Sequence, residues 1–200
     1  MNIVIIKYNA GNIKSVDYAL QRLGISAEIT NDKERIRTAD KVIFPGVGEA
    51  STTMEYLRAH KLDQMIISLK QPVLGICLGM QLMCKHSAEN NTPCLGIFDE
   101  QVVRFEPEKG KENLTKVPHM GWNDIAALKS PLFDADIEGQ FVYFVHSYYA
   151  EMGEHTVATC NYIVPFSAAM HKDNFYATQF HPEKSGPVGA EILKNFIEKC

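Results

Sequence analysis

The sequence predicts one α/β domain over residues 1–200, with a mostly parallel central sheet, flanking helices and additional mixed or antiparallel strands in the second half. Three short segments composed mostly of apolar residues, at 3–6, 41–44 and 73–76, are typical of strands that are covered on both faces. Amphipathic stretches between these runs supply helices for the two faces of the sheet. Closely spaced strand candidates after residue 100 predict its antiparallel part.

The elements of the first half follow the order β-α-β-β-α-β-α. The helix after the first strand has apolar residues at spacings of three and four, and we expect it to end at Gly24. Residues 25–30 alternate like a strand, residues 50–69 contain amphipathic helical stretches, and a helix-like segment at residues 80–85 follows the third apolar run. We found no linker or repeat that would divide the chain.

The sequence after residue 100 predicts several strands and one helix. The strand candidates are residues 102–105, 141–149, 155–162, 167–171 and 175–180. Residues 189–199 form an amphipathic helix whose apolar stripe is expected to pack in the core.

Composition argues against several classes of function. The formal net charge is −4, and the 24 acidic and 20 basic residues form no long run of one sign, so neither nucleic acid nor a membrane is expected as the main partner. The 5 cysteines include no CxxC pair, which argues against a zinc site or a disulfide framework. We therefore expect no metal, no cofactor and a cytoplasmic location.

One cysteine lies where a strand is expected to turn into a helix. In Gly75-Ile76-Cys77-Leu78-Gly79, the glycines two residues before and after Cys77 permit the sharp turn of a nucleophile elbow, and the following helix N-terminus favours a thiolate. The alternative is a buried structural cysteine, which is the commoner situation of a free thiol.

A base and a group to orient it follow one another at residues 181–183. His181-Pro182-Glu183 comes at the end of a strand candidate, where side chains two residues apart point to the same side, so the carboxylate can hold the imidazole. An exposed turn with a solvated glutamate is the alternative. The loop Pro45-Gly46-Val47-Gly48 also follows a strand, and ligands of open α/β sheets gather at such strand ends.

These features resemble the class I (triad) glutamine amidotransferases, a family with a flavodoxin-like fold. Residues 75–81 and 179–185 are similar to its two signature blocks, and residues 45–48 to its oxyanion strand. The resemblance implies that Cys77 attacks the glutamine carboxamide, that His181 transfers protons and Glu183 orients it, and that the N–H groups of Val47 and Leu78 hold the oxyanion. The residues it implies for glutamine binding are Gly48, Gln81, Glu89, His146, Ser147 and Tyr148.

Three further blocks, at residues 8–12, 117–123 and 144–149, are similar to the glutaminase subunits of imidazole glycerol phosphate synthase. That resemblance implies a heterodimer with a (β/α)8-barrel cyclase, which uses the ammonia to make imidazole glycerol phosphate and AICAR in histidine biosynthesis. The residues expected near the contact are Asn12, Trp122, Tyr143 and Lys184. The chain departs from these relatives at Lys7, where aspartate is usual, and at Ile163, where glycine is common.

Other functions remain open at this point. The same glutaminase chemistry can serve another synthase, such as one that aminates a sugar. A different class of function is a non-catalytic redox module in which Cys77 is simply an oxidisable thiol. A lipase-like or peptidase-like hydrolase also uses an elbow.

Overall fold

A computed structural model describes residues 1–9, 11–107, 110 and 115–200. The strands, numbered in chain order, are β1 (Ile3–Ile6), β2 (Glu28–Thr30), β3 (Lys41–Gly46), β4 (Val73–Cys77), β5 (His86–Ser87), β6 (Thr92–Pro93), β7 (Gln101–Arg104), β8 (His119–Asp124), β9 (Phe141–His146), β10 (Tyr148–Ala150), β11 (Thr156–Tyr162), β12 (Val164–Lys172) and β13 (Phe175–Thr178). The α-helices are α1 (Ile13–Arg22), α2 (Lys33–Arg37), α3 (Ala50–Ala59), α4 (Leu62–Ile67), α5 (Leu78–Met83) and α6 (Gly186–Lys199).

The central sheet has seven strands in the order β11-β12-β13-β4-β3-β1-β2. Strands β2, β1, β3, β4 and β13 are parallel, and β12 and β11 extend the sheet in antiparallel fashion. Every residue of β1, β3, β4 and β13 is buried, as continuous apolar runs predict. The predicted α/β fold with a mostly parallel sheet and antiparallel additions is confirmed.

Helices cover both faces of this sheet. Side chains of α1 and α6 pack with Ile3 and Ile5 on one face, whereas α3, α4 and α5 pack with Val4 and Ile6 on the other. Successive β1 residues thus contribute to opposite cores, as the two-residue period of a strand requires. None of the helices in the described ranges is long and apolar enough to cross a membrane.

Within the described residues, two small sheets lie outside the main one. They have the strand orders β10-β7-β5-β6 and β8-β9. The expected strand at 141–149 is wrong as one element, because the chain breaks at Ser147 and its two parts, β9 and β10, join different small sheets.

Other boundaries also differ from expectation. The predicted element order omitted α2. This helix has only about one and a half turns, and Ile36 is its only buried residue. The helix expected at 80–85 begins already at Leu78 and ends at Met83, and the strand expected at 25–30 is reduced to β2.

Parallel pairing brings the ends of β1, β3, β4 and β13 to the same edge of the sheet. Cys77 is the last residue of β4, and the segments that follow β1, β3 and β13 contain Asn12, Val47 and His181, respectively. Ala10, part of the 8–12 block, lies outside the described residues.

Candidate active site

Cys77 ends β4 in a conformation that L-residues rarely adopt, with φ 53° and ψ −108°. The chain turns there into α5 without an intervening loop. A Cβ atom at Gly79 would lie 2.0 Å from the carbonyl oxygen of Phe44, and one at Gly75 would lie 2.8 Å from Met83 Sδ. Only glycine therefore fits at position 79, since backbone atoms of β3 occupy the space that a side chain would need.

His181 and Glu183 form a buried pair. His181 Nδ1 lies 2.7 Å from Glu183 Oε1, and both side chains are shielded from solvent. Asn12 Nδ2 donates to the same carboxylate oxygen at 2.5 Å. Because that oxygen can only accept, His181 Nδ1 carries the hydrogen, and Nε2 is left for other chemistry. Within the described part of the chain, Nε2 has no hydrogen-bond partner.

The charge environment of His181 includes Cys77. Burial alone would lower the pKa of His181, but the Cys77 sulfur and the Glu183 carboxylate outweigh it and raise the pKa to about 10. Gln179 Nε2 also lies 3.7 Å from Cys77 Sγ, as a donor. The fold therefore brings the Cys77 thiol together with an imidazole and a carboxylate that lie about a hundred residues further along the chain, an arrangement suited to nucleophilic catalysis.

A cavity of about 450 Å³ opens beside Cys77. Its lining includes every residue that the sequence analysis named for glutamine binding, together with both suggested oxyanion residues. The lining residues are Val47, Gly48, Cys77, Leu78, Gln81, Glu89, Pro118, Val145, His146, Ser147 and Tyr148. Pockets of this volume hold small organic ligands.

Val47 and Leu78 are neighbours across the sheet edge, because Gly46 pairs with Cys77 in the β3–β4 register. Leu78 is the first residue of α5, so its N–H has no acceptor within the helix. Gly48 has φ 127°, a conformation available to glycine but rarely to other residues. Tyr8, which the sequence analysis did not single out, donates its hydroxyl to the Pro45 carbonyl at 2.5 Å and so braces the end of β3.

Two polar side chains of the cavity have defined partners. Glu89 Oε2 accepts from the Ala50 N–H at 2.8 Å, and burial raises the pKa of Glu89 against the effect of that hydrogen bond. Gln81 Nε2 donates to the Tyr148 carbonyl at 2.8 Å and to Gln179 Oε1 at 3.0 Å.

The residues expected near a partner fall into two groups. Trp122, Tyr143 and Lys184 lie on or near the surface, with Trp122 55% exposed and its ring 6.1 Å from that of Tyr143. Met120 and Phe141 of the same β8–β9 hairpin are also exposed. Asn12, in contrast, contacts Glu183 and His181, a position that sequence reasoning did not foresee.

The two departures from the relatives lie away from the cavity. Lys7 is exposed, and its backbone N–H donates to the Thr30 carbonyl at 2.8 Å. Ile163 forms the turn between β11 and β12 with φ 61°. A positive φ explains why glycine suits this position, since a β-branched side chain is strained there.

Comparisons with known proteins show the family of this chain. Residues 4–200 match the family model described as glutamine amidotransferase class-I. The chain belongs to this family. A Bacteroides fragilis relative named "Imidazole glycerol phosphate synthase subunit HisH" is 64% identical over 99% of this chain and 100% of its own length. A Haemophilus influenzae protein of the same name is 48% identical over 100% of this chain and 98% of its own length.

Solved structures share the fold of the family at low sequence identity. A crystal structure described as glutamine amidotransferase has a TM-score of 0.73 at 19% identity and covers 98% of this chain and 97% of its own. The crystal structure of a putative GMP synthase protein from Thermoplasma acidophilum has a TM-score of 0.71 at 20% identity, covering 98% of this chain and 92% of its own. At such identities the likeness establishes the fold alone.

Proposed function

We propose that this chain is a glutaminase subunit of imidazole glycerol phosphate synthase: it hydrolyses glutamine to glutamate and ammonia and delivers the ammonia to a cyclase in histidine biosynthesis. The observation that carries the proposal is the placement of Cys77, on a strained elbow, between the buried His181–Glu183 pair and a cavity large enough for glutamine. Relatives with 64% and 48% identity over almost the whole chain bear the name of that synthase subunit.

The reaction uses Cys77 as nucleophile and His181 as proton carrier. The sulfur attacks the side-chain carboxamide carbon of glutamine, the C–N bond breaks, and His181 gives a proton to the departing ammonia, leaving a γ-glutamyl thioester. Water then loses a proton to His181 and attacks the thioester, so that the C–S bond breaks and glutamate leaves. Glu183 keeps the hydrogen on Nδ1 and directs Nε2 to this chemistry.

Two backbone N–H groups stabilise the negative oxygen that forms in each step. Leu78 supplies one from the start of α5, and Val47 supplies the other when its peptide points into the cavity. Loss of one such donor typically reduces the rate by about 100-fold or more. Orientation of the Gly46–Val47 peptide, which carries the Val47 N–H, therefore controls whether the oxyanion hole is complete. Gly46, on the other side of that peptide from Val47, makes its rotation sterically easy.

The cavity provides polar groups for both ends of free glutamine. Glu89, with its carboxylate at the cavity wall, suits the substrate ammonium, and Gln81 offers an amide oxygen to the same group. Gly48, His146, Ser147 and Tyr148 complete the wall around the rest of the amino acid.

Ammonia must be consumed by another subunit. The β8–β9 hairpin presents exposed Met120, Trp122 and Phe141, and its Tyr143 carbonyl accepts from the backbone N–H of His181 at 2.9 Å. A partner seated on this hairpin and on Lys184 would lie next to the site where ammonia is released. We propose a (β/α)8-barrel cyclase as that partner, in a heterodimer.

Ammonia release from glutamine tests reaction and partner together. We expect little release from the chain alone and a large increase when the cyclase and its nucleotide-like substrate or an analogue are added, because the partner completes the oxyanion hole. Cys77→Ser is the matched control and should be inactive under all conditions. Equal turnover with and without the liganded cyclase would refute activation by the partner. No turnover in any mixture would refute the proposed glutaminase reaction.

The identity of the synthase needs a separate experiment. Rescue of a histidine auxotroph that lacks the glutaminase subunit supports the histidine pathway. Glutamine hydrolysis without rescue, together with co-purification of a sugar-aminating enzyme, would assign the same chemistry to another synthase.

A further inference from the structure

Two buried histidines outside the catalytic pair contact each other beneath the cavity. His119 of β8 lies opposite His146 of β9, with 3.1 Å between His119 Nδ1 and His146 Nε2. His146 lines the cavity, whereas His119 does not. The reaction proposed above gives His119 no task.

Hydrogen-bond partners determine the tautomer of both rings. His146 Nδ1 lies 2.7 Å from the Tyr148 carbonyl, which only accepts, so His146 Nδ1 donates. In a neutral ring His146 Nε2 is then an acceptor, and His119 Nδ1 must donate to it. His119 Nε2 is consequently an acceptor, and Asn123 Nδ2 lies 3.5 Å away as its donor.

The imidazoles of His119 and His146 are therefore both neutral at pH 7, because burial disfavours their charged forms. Burial lowers the pKa of His119 to about 4 and the pKa of His146 to about 3. The His119 ring is also stacked between two aromatic rings, 4.0 Å from Tyr162 and 4.8 Å from Phe144 between centroids. Stacking fixes the plane of the imidazole, and therefore the direction in which Nδ1 donates.

The Tyr148 carbonyl connects this pair to the glutamine pocket. It accepts from His146 Nδ1 and from Gln81 Nε2. The second hydrogen of the Gln81 amide goes to Gln179 Oε1, and Gln179 in turn donates to Cys77 Sγ. Both Gln81 hydrogens are thus used, so its Oε1 is the atom that remains to accept from a ligand in the cavity.

We propose that His119 is a positioning residue for glutamine binding, acting through His146 and the Tyr148 carbonyl to fix the amide orientation of Gln81. The inference rests on the proposed function and adds a residue that does not itself reach the substrate. Asn123, at the outer end of this series of hydrogen bonds, belongs to the same hairpin as exposed Trp122.

Two substitutions separate the hydrogen bond from the packing. His119→Phe keeps an aromatic ring between Tyr162 and Phe144 but removes the donor, whereas His119→Asn places an amide N–H near the position of Nδ1. His171→Phe is the matched control, because His171 is also stacked, on Tyr176 at 4.1 Å, but lies outside this network and the cavity.

Two measurements are made on each variant: KM and kcat for glutamine hydrolysis, and the rates at which a glutamine-shaped and a simple electrophile label Cys77. With the cyclase present, we expect His119→Phe to raise the KM for glutamine about tenfold, the usual effect of one lost buried hydrogen bond, and to change kcat less than about twofold. Labelling of Cys77 by a glutamine-shaped electrophile, 6-diazo-5-oxo-L-norleucine, should slow about tenfold, while labelling by iodoacetamide stays constant. His119→Asn should recover most of the loss.

Several results would overturn the proposal: no change in His119→Phe, an equal loss of reactivity toward both reagents, or no recovery in His119→Asn. Long-range ¹⁵N NMR of the wild-type imidazoles provides a test that needs no variant. It should show His119 and His146 both neutral and protonated at Nδ1 at pH 7, and protonation at Nε2 in either ring would contradict the argument.

Failure of the proposed function looks different. In that case wild-type Cys77 would react no faster with the L-electrophile than with its D-enantiomer, whereas the NMR tautomers would still report on the histidine pair.

Discussion

Cys77 and Ile163 both adopt a positive φ without being glycine, at 53° and 61° respectively. Cys77 ends a central strand that pairs with β3 on one side and β13 on the other, and backbone atoms surround its turn. Ile163 sits in a turn between two antiparallel strands at the edge of the sheet. The same kind of backbone strain therefore occurs both at the buried end of a central strand and in a turn at the edge of the sheet.

The difference shows that an unusual backbone angle does not by itself identify a functional residue. At Cys77 the strain presents a sulfur to a cavity and to His181, and the packing of Gly79 on Phe44 holds it in place. At Ile163 the strain serves no chemistry that the described residues reveal. Strain persists at functional sites where the surroundings over-determine it.

Gly79→Ala should have the largest effect, because it breaks the packing that holds the Cys77 turn. The added methyl would lie 2.0 Å from a carbonyl oxygen of β3, and neither β3 nor the first turn of α5 can move aside, because both are buried. We expect a loss of about 3 kcal/mol or more of unfolding free energy and no measurable glutaminase activity, by urea unfolding and ammonia release.

Gly75→Ala is the matched comparison for that variant. Its closest contact is Met83 Sδ, which belongs to a flexible side chain, so the destabilisation should be smaller. Equal stability of Gly79→Ala and the wild type would show that the elbow is not held by this packing.

Gly48→Ala should reduce activity while leaving the fold intact. A Cβ here meets no atom within 4 Å, but φ 127° is unfavourable for alanine, so the loop that carries the Val47 peptide should change conformation. We expect activity to fall about 100-fold, the effect of one lost oxyanion donor. Iodoacetamide labelling of Cys77 should be unchanged.

Gly96→Ala controls for the backbone cost of Gly48→Ala. Gly96 has φ 67° and equally open space, but it does not line the cavity. It should lose about 1 kcal/mol of stability and keep full activity. A similar loss of activity in both variants would argue against a role of residues 47–48 in the chemistry.

Glu183→Gln tests how the charge of the Glu183 carboxylate affects the tautomer and the pKa of His181. Asn12 Nδ2 should keep the new amide oxygen directed at His181 Nδ1, so the imidazole tautomer survives and the rate should fall only about tenfold, less than a missing base would cost. With one raising interaction removed, the pKa of His181 should drop below about 10. The pH–rate profile of glutamine hydrolysis, measured with the cyclase, checks this shift.

The pH dependence of the unfolding free energy gives an independent measure of the raised pKa of His181. A histidine whose folded pKa is raised to about 10 contributes stability that is fully present below its unfolded pKa of about 6.5 and is lost as the pH rises through about 10. The difference between wild type and Glu183→Gln in unfolding free energy should therefore change between pH 7 and pH 10, as the wild type loses this contribution. A difference independent of pH in this range would contradict the raised pKa.

Ile163→Gly should have the smallest effect and the opposite sign. Relief of the positive φ is worth about 1–2 kcal/mol, and the lost burial of a half-buried isoleucine offsets part of it. We expect a net gain of up to about 1 kcal/mol, equivalent to a rise of about 2–4 °C in Tm. Activity should not change.

The comparison with Ile163→Ala isolates the backbone contribution. Alanine also loses the side chain but retains the strain, so it should be about 1–2 kcal/mol less stable than Ile163→Gly. Equal stability of the two variants would mean that the turn carries no strain.

Prediction from sequence succeeded where one residue pattern had a single structural solution. Segments 3–6 and 73–76 were predicted correctly as β1 and β4 because an apolar run too short for a helix and bounded by polar or turn residues favours a covered strand. The helix α2 was missed because Ile36 alone faces the core, which leaves no periodicity to detect. The break at Ser147 was missed because a change of sheet depends on contacts with β7 and β8 that are distant in sequence.

The site was predictable to a similar extent. Cys77 and the residues expected to bind glutamine, such as Glu89, line the cavity, yet nothing in the sequence indicates that Asn12 reaches Glu183 or that His119 meets His146. Such contacts join loops and strands through three-dimensional packing, and no local pattern records them.

Exposure of Trp122 has a practical consequence. The chain contains 1 tryptophan, and its indole is 55% exposed on the hairpin beside the proposed docking face. Intrinsic fluorescence excited at the indole band therefore reports on one known point of the surface. A blue shift of that emission on titration with the cyclase would give the stoichiometry of the assembly without any attached dye.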